Sequence, residues 1–444
     1  MRNPENVLNS LSKHSGNLNY KFERLYRVLF NEEMFYVAYQ NIYSKTGNMT
    51  AGADGKTIDG MSIDRVEQLI GSLKNETYQP NPSKRTYIPK KNGKKRPLGI
   101  PSFDDKLVQE VVRMILEAIY EGSFEHTSHG FRPKRSCHTA LIDIQKTFTA
   151  VKWFIEGDIK GFFDNINHDV LINILRERIA DERFLRLIRK FLNAGYVEDW
   201  VFHRTYSGTP QGGIISPILA NIYLDKFDKY IKEYINRFNK GVTRKGDARY
   251  KLYEQRRYRL AKKLKNEKDV KVRELMTAEI KRLREERNNY PARNEMDSSI
   301  KRLKYVRYAD DFLIGITGSL EDCKTVKEDI KNYLNEALKL ELSDEKTLIT
   351  NAQKPAKFLG YDVFIRRCND LRKDKYGKTV RAFGHKPVLY LNFETMRKKL
   401  FDYKAARIAV VNGKEVWKSI VRTYMLNLDD LEIVSQFNAE IRGF

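Results

Sequence analysis

Tyr305-Val306-Arg307-Tyr308-Ala309-Asp310-Asp311-Phe312-Leu313-Ile314-Gly315-Ile316 is the stretch on which the reading of this chain turns. Tyr305 to Tyr308 and Phe312 to Ile316 are rich in the aromatic and β-branched residues that suit strands, so the segment predicts strand, turn, strand. Two carboxylates fall at the tip. An Asp pair at a turn can serve the turn's own hydrogen bonding. A third acid adds to this: Lys152 to Asp158 is another strand candidate that ends on Asp158. If the strands lie side by side in one antiparallel sheet, Asp158, Asp310 and Asp311 form an oxygen-rich cluster of the kind that holds hard divalent cations, and Ile159 can add its carbonyl. Two such ions ~3.5–4 Å apart can activate an attacking hydroxyl and neutralise a polyphosphate.

Working outward, Asp164-Asn165-Ile166-Asn167 supplies N-cap residues before a helical pattern at Val170, Leu171, Ile174 and Leu175. Ser207-Gly208-Thr209-Pro210-Gln211-Gly212-Gly213 reads as a loop opening a helix with Ile214, Ile218, Leu219 and Ile222 on its apolar face. Upstream, Arg85 to Ile100 reads as a cation-lined hairpin turning at Asn92-Gly93. Leu25, Val28, Leu29 and Phe35, and then Ile63, Val66, Leu69, Ile70 and Leu73, mark buried faces of N-terminal helices. Between about Phe238 and Arg293 the chain is densely charged with sparse apolar stripes, which predicts a protruding helical hairpin.

The 444 residues carry 82 Lys and Arg against 58 Asp and Glu, a formal charge of +24, and that excess makes nucleic acid the leading partner. Cys137, Cys323 and Cys368 lie far apart, which leaves no disulfide framework or zinc-site spacing. No apolar run approaches the ~20 residues of a membrane span, and the N-terminus lacks a signal-peptide core. The expectation is a soluble intracellular protein, cytoplasmic in a bacterial host, with no membrane partner.

The order of these segments, with Arg96-Pro97-Leu98-Gly99-Ile100-Pro101, Ser128-His129-Gly130-Phe131-Arg132-Pro133, Leu342 to Thr347 and Phe358-Leu359-Gly360-Tyr361, closely resembles that of group II intron-encoded reverse transcriptase/maturases. The resemblance covers nearly the whole chain. It is nearest the lineage of bacterial and organellar introns with a charged insertion before the Tyr-Ala-Asp-Asp box. It implies an α+β right-hand polymerase fold, fingers and palm, with an antiparallel palm sheet, an N-terminal helical extension and a charged helical insertion. The expected division is 1–80 for the N-terminal extension and start of the fingers, 81–150 for the fingers, 151–237 for the first part of the palm, 238–300 for the insertion, 301–385 for the rest of the palm, and 386–444 leading to a missing thumb. The maturase and endonuclease regions of the family are expected to be lacking too.

The resemblance also implies roles. Asp158, Asp310 and Asp311 match the acids that bind two Mg2+ ions. Phe163 matches the aromatic that closes over the sugar and favours deoxynucleotides, and Lys90 and Arg96 match cations on the incoming triphosphate. Gln211 packs against the nucleotide, and Lys346 matches a general acid for pyrophosphate. Arg132 lies in a template-contacting segment, and Phe358, Leu359 and Gly360 match the turn that grips the primer. The implied activity is RNA-directed DNA synthesis, with intron RNA, an RNA template, a DNA primer and deoxynucleoside triphosphates as partners. Two other readings stay open: an intron RNA-binding splicing factor with weak polymerase activity, and a retron-type bacterial reverse transcriptase.

Overall fold

A computed structural model describes residues 3–45, 47–89, 93, 95–205, 207–209, 212–294, 297–366, 371–373, 375–377, 379–381 and 384–443. Helices α1 (Pro4–Lys13), α2 (Glu32–Tyr43) and α3 (Ile63–Lys74) precede a hairpin of β1 (Ser83–Pro89) and β2 (Lys95–Ile100), then α4 (Phe103–Tyr120) and α5 (Cys137–Thr147). Strand β3 (Trp153–Gly157) leads into α6 (Phe162–Asn165), α7 (His168–Arg176) and α8 (Glu182–Asn193), followed by β4 (Tyr196–Glu198), β5 (Val201–His203) and the long α9 (Ser216–Phe238). Next come α10 (Ala248–Asn266), α11 (Val270–Asn288), β6 (Arg302–Tyr308), β7 (Asp311–Thr317) and α12 (Leu320–Leu338). The rest is β8 (Leu348–Asn351), β9 (Ala356–Phe358), β10 (Tyr361–Arg366), β11 (Leu371–Lys373), β12 (Thr379–Arg381), β13 (Lys386–Leu391), α13 (Phe393–Asp402), β14 (Ala406–Val411), β15 (Lys414–Ser419) and α14 (Asp430–Gly443).

The central sheet has the order β6-β7-β3-β8 and every pairing in it is antiparallel. Side chains alternate between its faces, and each face has its own core. Ile155, Leu303, Tyr305, Phe312, Ile314 and Ile316 join the large cluster that includes α4, α7, α9 and α12. Phe227 of α9 sets its ring against Tyr305 and Phe312 with centroids 5.8 and 5.2 Å away, the edge-on contact that aromatic quadrupoles favour. Phe154, Val306 and Leu313 face the other way, onto α5 and the small sheet β13-β10-β9. Both faces being covered explains why β7 reads as an almost continuous apolar run rather than an alternating one.

Helix starts follow their caps. The Asn167 side chain accepts from the backbone N–H groups of Asp169 and Val170, both at 3.0 Å, and so fixes where α7 begins. Ser319 and Asp322 close a reciprocal capping box on α12. The second sheet, β2-β1-β4-β5, joins the hairpin to the stretch before α9, with the Arg85 guanidinium 3.5 Å above the Tyr196 ring.

Helices α10 and α11 bury almost nothing, Leu283 alone of their side chains. They are joined instead by the Arg287–Glu254 pair at 2.6 Å and the stacked rings of Tyr253 and Tyr290. Backbone bridges at Lys240–Lys301 and Gly246–Arg293 close their root.

Two expectations need correction. Ile63 is 63% exposed, because it opens α3 where the helix has not yet reached the core. A division at residue 386 also cuts a sheet, since β13 pairs with β10 along its whole length.

Candidate active site

Asp158, Asp310 and Asp311 come to the same end of the central sheet because two neighbouring strands deliver them. Residue Gly157 at the end of β3 is paired with Phe312 of β7, so Asp158 emerges beside the tight turn that carries Asp310 into Asp311. In that turn Ala309 has φ +55°, a left-handed conformation costing ~1–2 kcal/mol in a residue with a Cβ. The Asp158 carbonyl accepts from the Ser343 N–H at 2.9 Å, and Lys160 N–H donates to Glu341 O at 2.9 Å, so Ile159 is bridged to Leu342 and the 341–347 turn closes over the strand end.

A cavity of about 510 Å3 opens here, lined among others by Arg96, Asp158, Phe163, Asp310 and Lys346. Burial raises the Asp310 carboxyl above its ordinary range, and burial together with the charges of Asp310 and Asp158 lifts Asp311 to about 7. Lys346 Nζ sits 2.7 Å from Asp158 Oδ2, and that hydrogen bond raises the ammonium pKa. The site thus concentrates more negative charge than its own cations neutralise. Among the described residues no three His, Cys, Asp or Glu side chains already converge as a cage for an ion. The donors nevertheless fit one: they are hard oxygens, mutually destabilised as anions, and one already holds a cationic group.

A family model of the reverse transcriptase, an RNA-dependent DNA polymerase, matches residues 88–248 and 281–363. The group II intron-encoded protein LtrA of Lactococcus lactis is 45% identical over 442 residues, 98% of this chain and 72% of that protein. The chain belongs to the group II intron-encoded reverse transcriptases. A putative COX1/OXI3 intron 1 protein of Saccharomyces cerevisiae is 39% identical over 85% of this chain and 43% of its own length. Protein YkfC of Escherichia coli is 33% identical over 78% of this chain and 84% of its own. The chain is accordingly an RNA-directed DNA polymerase, of a family that uses divalent metal and binds an RNA template. No described helix of this reverse transcriptase is long and apolar enough to cross a membrane.

The other expected site residues divide. The reverse transcriptase sets Phe163 on the cavity wall, its carbonyl accepting from Thr209 N–H at 2.7 Å. Gly208 lies so close that a Cβ there would meet Phe163 O at 2.6 Å, and Gly212 meets Gly99 O at 2.7 Å in the same way. Both glycines also have positive φ, and Gly208 lies against Phe163 as Gly212 lies against the β2 segment that carries Arg96. Phe358 is buried, Leu359 and Gly360 form the left-handed turn between β9 and β10, and Lys357 N–H donates to Glu156 of β3 at 2.8 Å. Lys90 and Gln211 lie outside the described residues.

Arg132 is a correction. Its guanidinium is buried on Glu121, the carbonyls of Glu125 and Ser128 at 2.7 and 2.9 Å, and the Phe124 ring, which leaves no free edge for a template. Its work is to fold the 121–133 segment.

Sequence reasoning missed the group beneath the turn that carries Asp310 and Asp311. Arg307 is fully buried and all its N–H groups are engaged. It pairs bidentately with buried Asp228 of α9 at 2.8 and 2.6 Å, and donates to Asn221 Oδ1, Ala309 O and Ser128 Oγ at 3.2, 2.8 and 2.7 Å. Tyr305 donates to the same Asp228 at 2.7 Å. Asn221 in turn donates to Gly130 O at 2.8 Å. A charge inside an apolar strand, and Asn221, Asp225 and Asp228 spaced i, i+4, i+7 along an apolar helix, were the available signals.

Proposed function

We propose that this reverse transcriptase joins deoxynucleotides to a DNA primer on an RNA template at the Asp158, Asp310 and Asp311 cluster, and that its cognate RNA is a group II intron. The observation that supports the reading most is that Asp158, following β3, and Asp310, in the adjoining β6–β7 turn, line one cavity with Arg96, Phe163 and Lys346, with Asp311 next in the chain. The three carboxylates, with the Ile159 carbonyl, would hold two Mg2+ ions, which when bound activate the primer hydroxyl and neutralise the triphosphate. The primer 3′-oxygen then bonds to the α-phosphorus while the bond to pyrophosphate breaks.

The protein's own groups prepare that exchange. Arg96 faces the cavity as a planar donor for phosphate oxygens, and Lys90 is the second cation of the triphosphate. Lys346, kept protonated beside Asp158, is the acid that passes a proton to the leaving pyrophosphate. Phe163 closes on the sugar where a 2′-hydroxyl would stand, Gln211 supports the base, and the turn at Phe358, Leu359 and Gly360 supports the primer. Fingers at 81–150, a palm at 151–237 and from 301 through β13, and the α10–α11 hairpin as a basic arm for intron RNA complete the assignment.

The test is extension of a DNA primer on an RNA template with Mg2+ and deoxynucleotides, set against Asp310→Ala with Asp311→Ala. Extension is expected only from the unaltered chain. Equal extension by both would end the assignment of those acids.

A further inference from the structure

We infer that Phe131 is a second specificity-determining residue of the polymerase site, acting through Phe163 as a positioning residue for the sugar. The inference rests on Phe163 being the residue that excludes a 2′-hydroxyl.

Phe131 is an anomaly as a structural residue. Half of its surface, 50%, is exposed, so it contributes little to a core. Its backbone sits at φ +55°, a conformation that is a true outlier for a bulky residue and tends to persist at functional sites. Its ring nevertheless meets Phe163 edge to face, with centroids 6.4 Å apart and planes at 78°. Phe162 contacts the same ring from its own helix, with centroids 5.3 Å apart. Phe163 is therefore braced by one neighbour in sequence and by one residue brought from a distant loop.

That loop is fixed to the catalytic turn. His129 N–H donates to Arg307 O and Arg307 N–H to Thr127 O, each at 2.9 Å, while the Arg307 side chain holds Ser128 and Asn221 holds Gly130. A Cβ on Gly130 would stand 2.3 Å from Ala309 N, so the residue before Phe131 lies directly on the backbone that presents Asp310. The turn carrying the acids and the wall facing the sugar thus share one rigid support, and Phe131 is where it reaches Phe163. A wall that discriminates a single hydroxyl must be stiff, since a ring free to rotate away readmits the larger sugar.

The experiment measures kcat/KM for single additions of a deoxynucleotide and the matching ribonucleotide by the full chain, Phe131→Ala, Phe131→Tyr, Phe163→Ala and the Phe131/Phe163 double variant. Because the ring is half exposed, Phe131→Ala should fold normally, checked by its melting temperature. Its deoxy-over-ribo preference should fall about three- to tenfold, the range an aromatic edge contact supports. Phe131→Tyr should keep the preference, Phe163→Ala should lose more of it, and the double variant should lose no more than Phe163→Ala. Loss in Phe163→Ala with full selectivity in Phe131→Ala would overturn this inference alone. Full selectivity in Phe163→Ala would overturn the reading of Phe163 and this inference with it. Strictly multiplying losses in the double variant would show that Phe131 acts elsewhere, which also overturns it.

Discussion

Replacing Asp228 by Ala should disable this polymerase from a position that touches no substrate. The change removes two charge-assisted bonds to Arg307 and one from Tyr305, and leaves a guanidinium sealed from water with only neutral partners. Breaking one side of a buried ion pair costs about 3–5 kcal/mol, a large share of the ~5–15 kcal/mol by which folded domains are stable. At the lower end of the ~2–4 °C per kcal/mol typical of larger domains, melting should drop by roughly 6–10 °C. Chemical denaturation gives the stability, and single-turnover addition below the melting point gives the chemistry. An apolar pair, Asp228→Leu with Arg307→Met, separates the two effects. Without a buried charge it should be more stable than Asp228→Ala. It should remain slow, because nothing then donates to Ala309 O and the strained turn loses its brace. A cost below about 1 kcal/mol for Asp228→Ala, or recovery of activity together with stability in the apolar pair, would mean that the Arg307–Asp228 pair does not brace the turn.

Three further outcomes follow from the same geometry. Asp105 is buried against Tyr78 and the Asn81 N–H, and burial lifts its carboxyl from 3.8 to about 6. The folded state then binds this proton more tightly than the unfolded chain, so the group's contribution to stability falls as pH rises from about 4 to 6, by roughly 3 kcal/mol in all. The wild-type-minus-Asp105→Asn stability difference should be flat outside that window and fall across it; a difference that is flat throughout would contradict the assignment. Gly130→Ala should lower turnover more than tenfold, since its Cβ would meet the Ala309 backbone, while Gly16→Ala, with open space around it, should be silent; equal activity of the two would count against the close approach. Lys346→Met should reduce kcat by about 10²–10⁴ with KM and melting nearly unchanged, as expected for an exposed general acid; a rise in KM alone would make Lys346 a binding group instead.

Much of this was legible in the chain itself because local rules and the fold agree. The strand–turn–strand at 302–317, the strand ending at Asp158, the Asn167 cap and the hairpin flanking Asn92-Gly93 are short-range features, written in adjacent residues. Buried faces were readable at the middle of helices, as with Val66, Leu69, Ile70 and Leu73, and failed at Ile63, where the first turn projects beyond the core. Residues joined only by tertiary contact were hidden. Arg132 and Arg307 look alike as basic residues in a basic chain, yet both are buried, because Glu121 in one case and Asp228 in the other comes from a separate helical segment. Phe131 reads as an ordinary aromatic until its backbone conformation and its contact with Phe163 are known.

If Asp158, after β3, and the acids of the β6–β7 turn form one divalent-ion site, direct ion binding will reveal it without any need for turnover. Titration of the full chain with Mn2+, followed by the loss of the free-ion electron paramagnetic resonance signal, should show binding that Mg2+ competes away. Asp158→Asn and Asp310→Asn should each weaken it by tenfold or more, about 1.4 kcal/mol, although one residue follows β3 and the other sits in the β6–β7 turn. Binding left intact by either substitution would mean that the acids do not share an ion, and the account of the site would be wrong.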